Sequence, residues 1–181
     1  MKSEISEVLF SAEQIDAAVR RVAAELDAGL GGAPALLVGV LKGSVFFLCD
    51  LARRMRSPVT IDFLQVSSYG EGTRSSGNVR MIRDLAVDVA GRHVVIVEDI
   101  VDTGGTLAKI LELLAARSPA SLRVCALLRK TGAGAAGIPV DHVGFDIDDR
   151  FVVGYGLDLA ERFRNLPYVA TLKESADAEN P

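Results

Sequence analysis

The sequence contains few of the side chains from which metal centres, disulfide frameworks and nucleophilic triads are built. Its 181 residues include two cysteines, two histidines and no tryptophan. His93 and His142 lack metal-ligand spacing, and Cys49 and Cys125 have no CxxC motif and no nearby histidine. The pattern therefore argues against a His/Cys metal site, a disulfide-stapled fold and a Cys-His or Ser-His-Asp enzyme. Both cysteines are expected to be reduced core residues.

Long apolar runs and an excess of positive charge are also missing. The longest uncharged stretch, residues 28–41, is too short to span a bilayer and is interrupted by Gly31, Gly32 and Pro34. The first 14 residues are charged from the start and lack an apolar secretory segment. The net charge of −4 argues against a general affinity for nucleic acid or anionic membranes. We therefore expect a cytoplasmic protein without membrane or nucleic-acid partners, in which local devices hold any phosphate ligand.

Hydrophobic residues make up 49% of the chain, and their spacing predicts strands that alternate with helices. This order is typical of an α/β fold with a mostly parallel twisted sheet flanked by helices. No internal repeat or linker divides the chain. Helices are predicted over residues 11–30, with Ser11 as the N-cap, over residues 45–55, and after residue 106. Strands are predicted near residues 34–41, 58–69, 81–82, 94–97, 121–130, 141–147 and 151–156.

Two segments stand outside this alternation. Residues 67–80, SSYGEGTRSSGNVR, are polar and contain three glycines, which favours a functional loop such as a lid. Residues 132–137, GAGAAG, match the dinucleotide-binding pattern, but no helix opens directly after them, so a connecting loop is the better interpretation. No Walker-type P-loop is present.

The most informative segment is residues 94–114, VVIVEDIVDTGGTLAKILELL. A buried strand leads into a Thr-Gly-Gly-Thr turn and an amphipathic helix, an arrangement in which backbone amides bind phosphate. Glu98 and Asp99 are expected to project from the end of the strand at Val97, with Asp102 beside them. An ordinary turn capped by Asp102 or Thr103 would account for one of these acids at most. A sugar phosphate accounts for all of them, because its phosphate suits the amides and its hydroxyls suit the carboxylates.

These residues carry a family resemblance. VIVEDIVDTGGT closely resembles the phosphoribosyl pyrophosphate signature of the type I phosphoribosyltransferases. The LKGS turn, the loop of residues 67–80, the LLRK strand end and VGFDIDDRFVVGYGLDLAERFRNLPYV resemble the hypoxanthine-guanine phosphoribosyltransferases. The matches follow the family order from about Val38 to Leu172. The resemblance implies the type I fold, with one domain over residues 1–172 and a disordered tail over 173–181. Within the domain, it implies a core of about 30–145 and a small hood lobe. The N-terminal segment and residues of about 146–172 would form the hood.

The resemblance also implies a reaction and a set of site residues. The enzyme would transfer the phosphoribosyl group of phosphoribosyl pyrophosphate to a 6-oxopurine, using Mg²⁺. Asp102 would be the general base, and Lys130 would donate a hydrogen bond to the 6-oxo group. Relatives often build the turn at Lys42 with a non-proline cis peptide. The remaining predicted contacts are Thr103, Gly104, Gly105 and Thr106 to the 5′-phosphate; Glu98 and Asp99 to the ribose hydroxyls, directly or through Mg²⁺; Asp158 to a second Mg²⁺; Lys42, Gly43, Ser68, Tyr69 and Arg164 to pyrophosphate; and Phe151 and Val152 to the base.

Other interpretations of the same sequence remain open at this stage. One is a non-catalytic regulator on the same fold that senses phosphoribosyl pyrophosphate or a nucleotide. Another keeps the enzyme class but changes the base to xanthine or a pyrimidine. The short cluster Arg53, Arg54 and Arg56 is more typical of solvent or of an oligomer contact than of a nucleic-acid surface. A homo-oligomer, dimer or tetramer, is expected.

Overall fold

The computed structural model describes residues 5–68, 79–132 and 138–173. Within these ranges the chain forms a six-stranded sheet, a separate three-stranded sheet and three α-helices. The strands are β1 (Ile5–Phe10), β2 (Ala35–Val40), β3 (Val59–Ser68), β4 (Val79–Arg83), β5 (His93–Val101), β6 (Ser121–Lys130), β7 (His142–Ile147), β8 (Val152–Val153) and β9 (Val169–Leu172), and the helices are α1 (Ala12–Leu30), α2 (Val45–Ala52) and α3 (Gly105–Ala115).

The order of strands in the large sheet determines where a ligand can bind. The order is β4-β3-β2-β5-β6-β7, with β4 antiparallel to β3 and the other five strands parallel. Strand β3 lies on one side of β2 and β5 lies on the other, so the direction of strand succession reverses between β2 and β5. Ligands of open parallel sheets bind beyond the carboxyl ends of the strands at such a reversal. The turns after β2 and β5 therefore meet at the expected ligand site.

Alternating side chains of the parallel strands build a core on each face of this sheet. Leu37 of β2 and Val95 of β5 pack toward α1 and α2, while Leu36 and Ile96 pack toward α3. The central strands β2, β5 and β6 are buried on both faces along much of their length and therefore contain continuous apolar runs. The apolar positions Ile15, Val19, Val22 and Leu26, which recur at helical spacing, are all buried in α1. In α3, Leu107, Ile110 and Leu114 are buried and Leu111 is partly buried.

The beginning of α1 agrees with the prediction. Ser11 is its N-cap, the Ser11 hydroxyl accepts a hydrogen bond from the Gln14 amide, and the Gln14 side chain accepts one from the Ser11 amide. This reciprocal capping box satisfies two backbone donors that the helix itself leaves unpaired.

The small sheet joins the two ends of the described chain. Its order is β1-β9-β8, and all pairs are antiparallel. The ring of Phe10 in β1 stacks on Phe145 of β7, with the ring centroids 4.0 Å apart, and so links the small sheet to the large one. The sequence pattern predicts neither β1 nor β9, because ISEVLF does not alternate and VATL is too short to show a period.

Several predicted details are wrong. Helix α2 ends at Ala52 instead of residue 55. Cys125 is buried as expected, but Cys49 is exposed, because α2 buries the face formed by Phe47, Leu48 and Leu51. Both ends of the predicted lid belong to strands, since Ser68 of β3 pairs with Val79 of β4.

Some predicted features fall on residues outside the described ranges. These are most of the lid (69–78, with Tyr69), most of the GAGAAG loop (133–137) and the tail beyond Lys173. Among the helices of the described ranges, none has the length and apolarity that crossing a membrane requires.

Asp62 is a buried carboxylate that holds the chain after β4 against β3. Its exposed fraction is 6%. Its oxygens accept hydrogen bonds from the backbone amides of Phe63 at 2.8 Å, Ala86 at 2.7 Å and Val87 at 3.0 Å. These bonds satisfy backbone donors in a region where water has little access.

We expect Asp62→Ala to lower the free energy of unfolding by about 3 kcal/mol, because it leaves buried amides without acceptors. Urea unfolding followed by circular dichroism measures the change. The control is Asp84→Ala, which removes a half-exposed carboxylate paired with Arg117 and should cost about 1 kcal/mol or less. Equal losses in the two variants would contradict the role given to Asp62.

Candidate active site

The turn between β5 and α3 forms a cavity suited to a phosphate group. Gly104 is the N-cap of α3, has a φ of +76°, and no side chain caps the helix. The alternative in which Asp102 or Thr103 caps α3 is therefore wrong. The cavity measures about 130 Å³ and is lined by Glu98 and by Ile100 to Leu107, which run from the end of β5 through the turn into α3. Helix amides without a side-chain cap, together with the positive end of the helix dipole, favour an anion here.

Two glycines of this turn have different surroundings. A Cβ on Gly104 would lie 2.3 Å from Cδ1 of Ile138, whereas the nearest atom to a Cβ on Gly105 is 4.0 Å away. Gly104 is thus favoured by its positive φ, and a larger residue there would also displace the end of the Ile138 side chain. Gly105 has open space beside it, and a larger side chain would fit there.

The two acids of β5 lie on opposite faces of the strand. Strand β5 continues to Val101 instead of ending at Val97, so Glu98 and Asp99 are consecutive strand residues whose side chains point apart. Glu98 lines the phosphate cavity and is buried, with an exposed fraction of 7%. Asp99 lines a second cavity of about 270 Å³. The expectation that both acids project from the rim is therefore wrong for Glu98.

Burial strongly affects both carboxyls. Burial, with the neighbouring Asp99 charge as a second cause, raises the pKa of Glu98 well above its ordinary value. Burial also raises the pKa of Asp99; backbone amides and Arg164 oppose this shift, and the Asp158 carboxylate adds to it. Both carboxyls therefore lack a full set of compensating charges in the described protein, and a bound donor or cation would supply them.

The turn after β2 packs directly against Asp99. The peptide between Leu41 and Lys42 is cis. A Cβ on Gly43 would lie 1.6 Å from Oδ2 of Asp99, and a Cβ on Gly156, where φ is +107°, would lie 1.9 Å from the Gly43 carbonyl oxygen. Only glycine permits these two close approaches. They join the β2 turn, β5 and the segment after β8 into one wall of the site.

The two basic residues predicted to bind pyrophosphate both contact carboxylates. Lys42 Nζ lies 3.1 Å from a carboxylate oxygen of Glu161. Arg164 lies 2.7 Å from Asp158 and 3.4 Å from Glu161, and it donates a hydrogen bond to the Gly156 carbonyl. Its Nε is buried and has no hydrogen-bond partner in the described part of the chain. An anion binding here would find cations already in position.

The second cavity has the features of a pocket for a planar base. Phe151 lines this cavity and is 58% exposed, so its ring is not part of the hydrophobic core. Val152 and Leu157 supply apolar walls. The only side-chain cation with low exposure in this lining is Lys130 at the end of β6, whose side chain is 15% exposed. The cavity therefore combines aromatic, apolar and donor groups, as small-molecule sites do.

Lys130 has two carboxylate partners. Its Nζ lies 2.8 Å from Asp149 and 3.2 Å from Asp102. Burial alone would lower the pKa of the ammonium, but the hydrogen bonds to the two carboxylates outweigh burial and raise it. Lys130 therefore remains a charged donor at neutral pH. Sequence reasoning missed Asp149 and Glu161, because nothing in the sequence distinguishes them from neighbouring acids.

The acids of the site fit a magnesium ion that is shared with a phosphate ligand. The described ranges contain no group of three or more His, Cys, Asp or Glu residues able to hold a metal alone. Mg²⁺ is usually bound through one or two carboxylates, with substrate phosphates and water as further ligands. Asp99 and Asp158 line the same cavity and repel each other, so they suit this role. Glu98, also predicted as a metal ligand, does not line that cavity.

We expect Glu98→Gln to stabilise the substrate-free protein increasingly as the pH rises above about 4.5. The folded chain holds the Glu98 proton more tightly than the unfolded chain, so wild-type stability falls by about 1.4 kcal/mol per pH unit between the two pKa values. Glutamine removes this loss. Urea unfolding between pH 5 and 8 in the presence of a chelator measures the difference, with the exposed Glu112→Gln as the control. A difference that does not change with pH would contradict the prediction.

Comparison with known proteins agrees with this geometry. A family model described as a phosphoribosyl transferase domain matches residues 9–160. The hypoxanthine-guanine phosphoribosyltransferase of Mycobacterium avium is 49% identical over 175 residues, which are 93% of this chain and 86% of that protein. The Bacillus subtilis enzyme of the same name is 46% identical over 173 residues, 96% of each protein.

A solved structure confirms the predicted fold class. The crystal structure of a hypoxanthine phosphoribosyltransferase from Staphylococcus aureus matches with a TM-score of 0.90 at 45% identity, covering 93% of this chain and 92% of that one. The architecture is the type I phosphoribosyltransferase fold. The chain belongs to the phosphoribosyltransferase family and, within it, to the hypoxanthine-guanine phosphoribosyltransferases.

Proposed function

We propose that the protein transfers the 5-phosphoribosyl group of phosphoribosyl pyrophosphate to hypoxanthine or guanine, forming the purine nucleotide and pyrophosphate in purine salvage. One observation carries this proposal. The phosphate cavity and the base cavity share Ile100 and Asp102, which line both. A carboxylate at this junction lies where the sugar carbon of a bound phosphoribosyl group would meet the purine.

The phosphate cavity binds the 5′-phosphate and orients the sugar. The backbone amides at the start of α3 and the side chains of the turn accept the phosphate. Glu98 and Asp99 reach the sugar from opposite faces of β5 and bind its hydroxyls. The phosphate ligands in this proposal are Thr103, Gly104, Gly105 and Thr106.

The pyrophosphate leaving group lies beside the β2 turn. Lys42 and Arg164 exchange their carboxylate partners for its oxygens, and the Gly43 backbone permits its close approach. Asp99 and Asp158 would hold Mg²⁺, whereas Glu98 would act on the sugar. When bound, the ion neutralises and orients the leaving group. Ser68 and Tyr69, at the edge of the lid, would cover the pyrophosphate and exclude water.

The base cavity selects the purine and takes up its proton. Phe151 stacks on the ring, and the backbone of Val152 bonds its edge. Lys130 donates to the 6-oxo oxygen; an amino group there would place donor against donor, which penalises adenine. Asp102 accepts the proton of the attacking ring nitrogen as the bond to the sugar carbon forms and the bond to pyrophosphate breaks.

Two further expectations belong to the proposal. Cys49 and Cys125 are free thiols, which supports a reducing, cytoplasmic location. We also propose that residues 1–172 form a single domain with the hood lobe, followed by the tail. A homo-oligomeric assembly, dimer or tetramer, is part of the same proposal.

The direct test is pyrophosphate release from phosphoribosyl pyrophosphate and Mg²⁺ with each base in turn. We expect turnover with hypoxanthine or guanine, and at least about tenfold poorer kcat/KM with adenine and uracil, because a lost or mismatched hydrogen bond costs that much or more. Equal use of adenine would mean that Lys130 does not select the oxo group. No release with any base would favour a non-catalytic sensor.

We expect Asp102→Ala to lower kcat by about 100-fold or more, since a positioned general base typically contributes that much. Binding of phosphoribosyl pyrophosphate, measured by calorimetry with Mg²⁺, should change little, because Asp102 does not hold the phosphate. Asp102→Asn, which preserves shape but cannot accept the proton, should be equally slow. Unchanged turnover in either variant would remove Asp102 as the base.

A further inference from the structure

Asp149 is a carboxylate of the site that the proposed reaction does not use. It lies in the short segment between β7 and β8, two residues before Phe151. Its Oδ1 accepts a hydrogen bond from Lys130 Nζ at 2.8 Å, a shorter contact than the 3.2 Å from Lys130 to Asp102. The Asp149 side chain is otherwise 79% exposed, so packing does not account for its position.

The two carboxylates restrict the direction in which Lys130 can donate. A lysine ammonium has three N–H donors and no acceptor. Asp102 and Asp149 take two of them. Because the three N–H bonds have fixed angles to one another, the third then has a defined direction, and a purine 6-oxo oxygen is the acceptor that the proposed function offers. With a single carboxylate partner the ammonium could rotate about that one contact.

Asp149 also separates two roles that would otherwise conflict at Asp102. In the proposed reaction Asp102 accepts a proton while Lys130 must stay on the oxo oxygen. When Asp102 takes the purine proton, its attraction for Lys130 falls. Asp149 keeps a negative charge beside the ammonium through this change, so Lys130 can remain on the oxo oxygen.

The same contact connects the two walls of the base cavity. Lys130 ends β6 of the large sheet, whereas Asp149 precedes Phe151 and β8 of the small sheet. A second link, from the Thr131 amide to the Ile147 carbonyl at 2.9 Å, joins the same two chain segments. The Lys130–Asp149 ion pair therefore fixes the position of the Lys130 ammonium relative to the Phe151 ring.

We propose that Asp149 is a positioning residue, which orients the Lys130 ammonium toward the 6-oxo oxygen and thereby strengthens the selection of oxopurines. This inference rests on the proposed function. Asp149 touches neither the substrate nor the transferred atoms in this account; it acts through Lys130.

The test compares nucleotides with and without the oxo group, so it does not depend on turnover. Binding of inosine 5′-monophosphate and of purine riboside 5′-monophosphate is measured by calorimetry for the wild-type protein and for Asp149→Asn. We expect the preference for the oxo nucleotide to fall about tenfold in the variant, the size of one charge-assisted hydrogen bond. The affinity for the nucleotide without the oxo group should stay within about twofold.

Two further variants separate positioning from a general effect of the segment. Asp149→Glu keeps the charge and should recover most of the preference. Asp148→Asn removes the adjacent carboxylate, which pairs with Arg150 and does not contact Lys130, and should bind like the wild type. Thermal melting of each variant checks that folding is preserved, as the exposure of both side chains leads us to expect.

The outcomes distinguish the inference from the function on which it rests. An equal loss of affinity for both nucleotides, or no change for either, would overturn the role of Asp149 while leaving the proposed function in place. If the wild-type protein bound neither nucleotide and released no pyrophosphate with any base, the proposed function itself would fail.

Discussion

The alternation of side chains along β5 is the constraint on which the site depends. Consecutive strand residues point to opposite faces, so Glu98 enters the phosphate cavity and Asp99 enters the cavity for the base. The strand then ends at the reversal of strand order, where Asp102 lies between the two cavities. In the proposed function, one strand would thus contact both ends of a phosphoribosyl group, because its two faces line different cavities. Any shift of register by one residue would exchange the two acids.

Acidic partners hold the cations of the site before any ligand arrives. Lys42, Lys130 and Arg164 each contact at least one carboxylate. A net charge of −4 leaves the protein without a broad positive surface, so its cations act only at short range. In the proposed function, binding of an anionic substrate would exchange one negative partner of these cations for another. The exchange limits the affinity for anions in general and favours those whose geometry matches several cations together.

The two acids of β5, Glu98, which is buried, and Asp99, which is partly buried, lack such oppositely charged partners of their own within the described ranges. Glu98 and Asp99 lie where burial makes their charged forms costly, and the described residues compensate them only in part. Such groups reduce the stability of the free protein and strengthen its interaction with hydroxyl donors or a cation. The glycines at 43 and 156 belong to the same arrangement, because their close contacts hold the backbone against Asp99.

Much of the fold was predictable because the central parallel strands β2, β5 and β6 contain continuous apolar runs and the helices have a clear period. The capping box at Ser11 and the buried face of α3 follow from such local patterns. The small sheet was not predictable in this way, since its strands are short. Strand β1 pairs only with β9, and β9 pairs only with β1 and β8. The exposure of Cys49 likewise depends on which face α2 presents to the sheet, which its sequence, apolar almost all round, does not specify.

The sequence by itself determined the alternating architecture, the phosphate-binding turn and, through its family motifs, the expected roles of Asp102, Lys130 and Phe151. Only the tertiary structure decided that Glu98 and Asp99 serve different cavities, and that Asp149 and Glu161 contact the cations of the site. The physical reason is the range of the interactions involved. Backbone propensity and apolar period act between near neighbours in the chain, whereas the Lys130–Asp149 and Lys42–Glu161 contacts join residues that only the packing of separate strands and turns brings together.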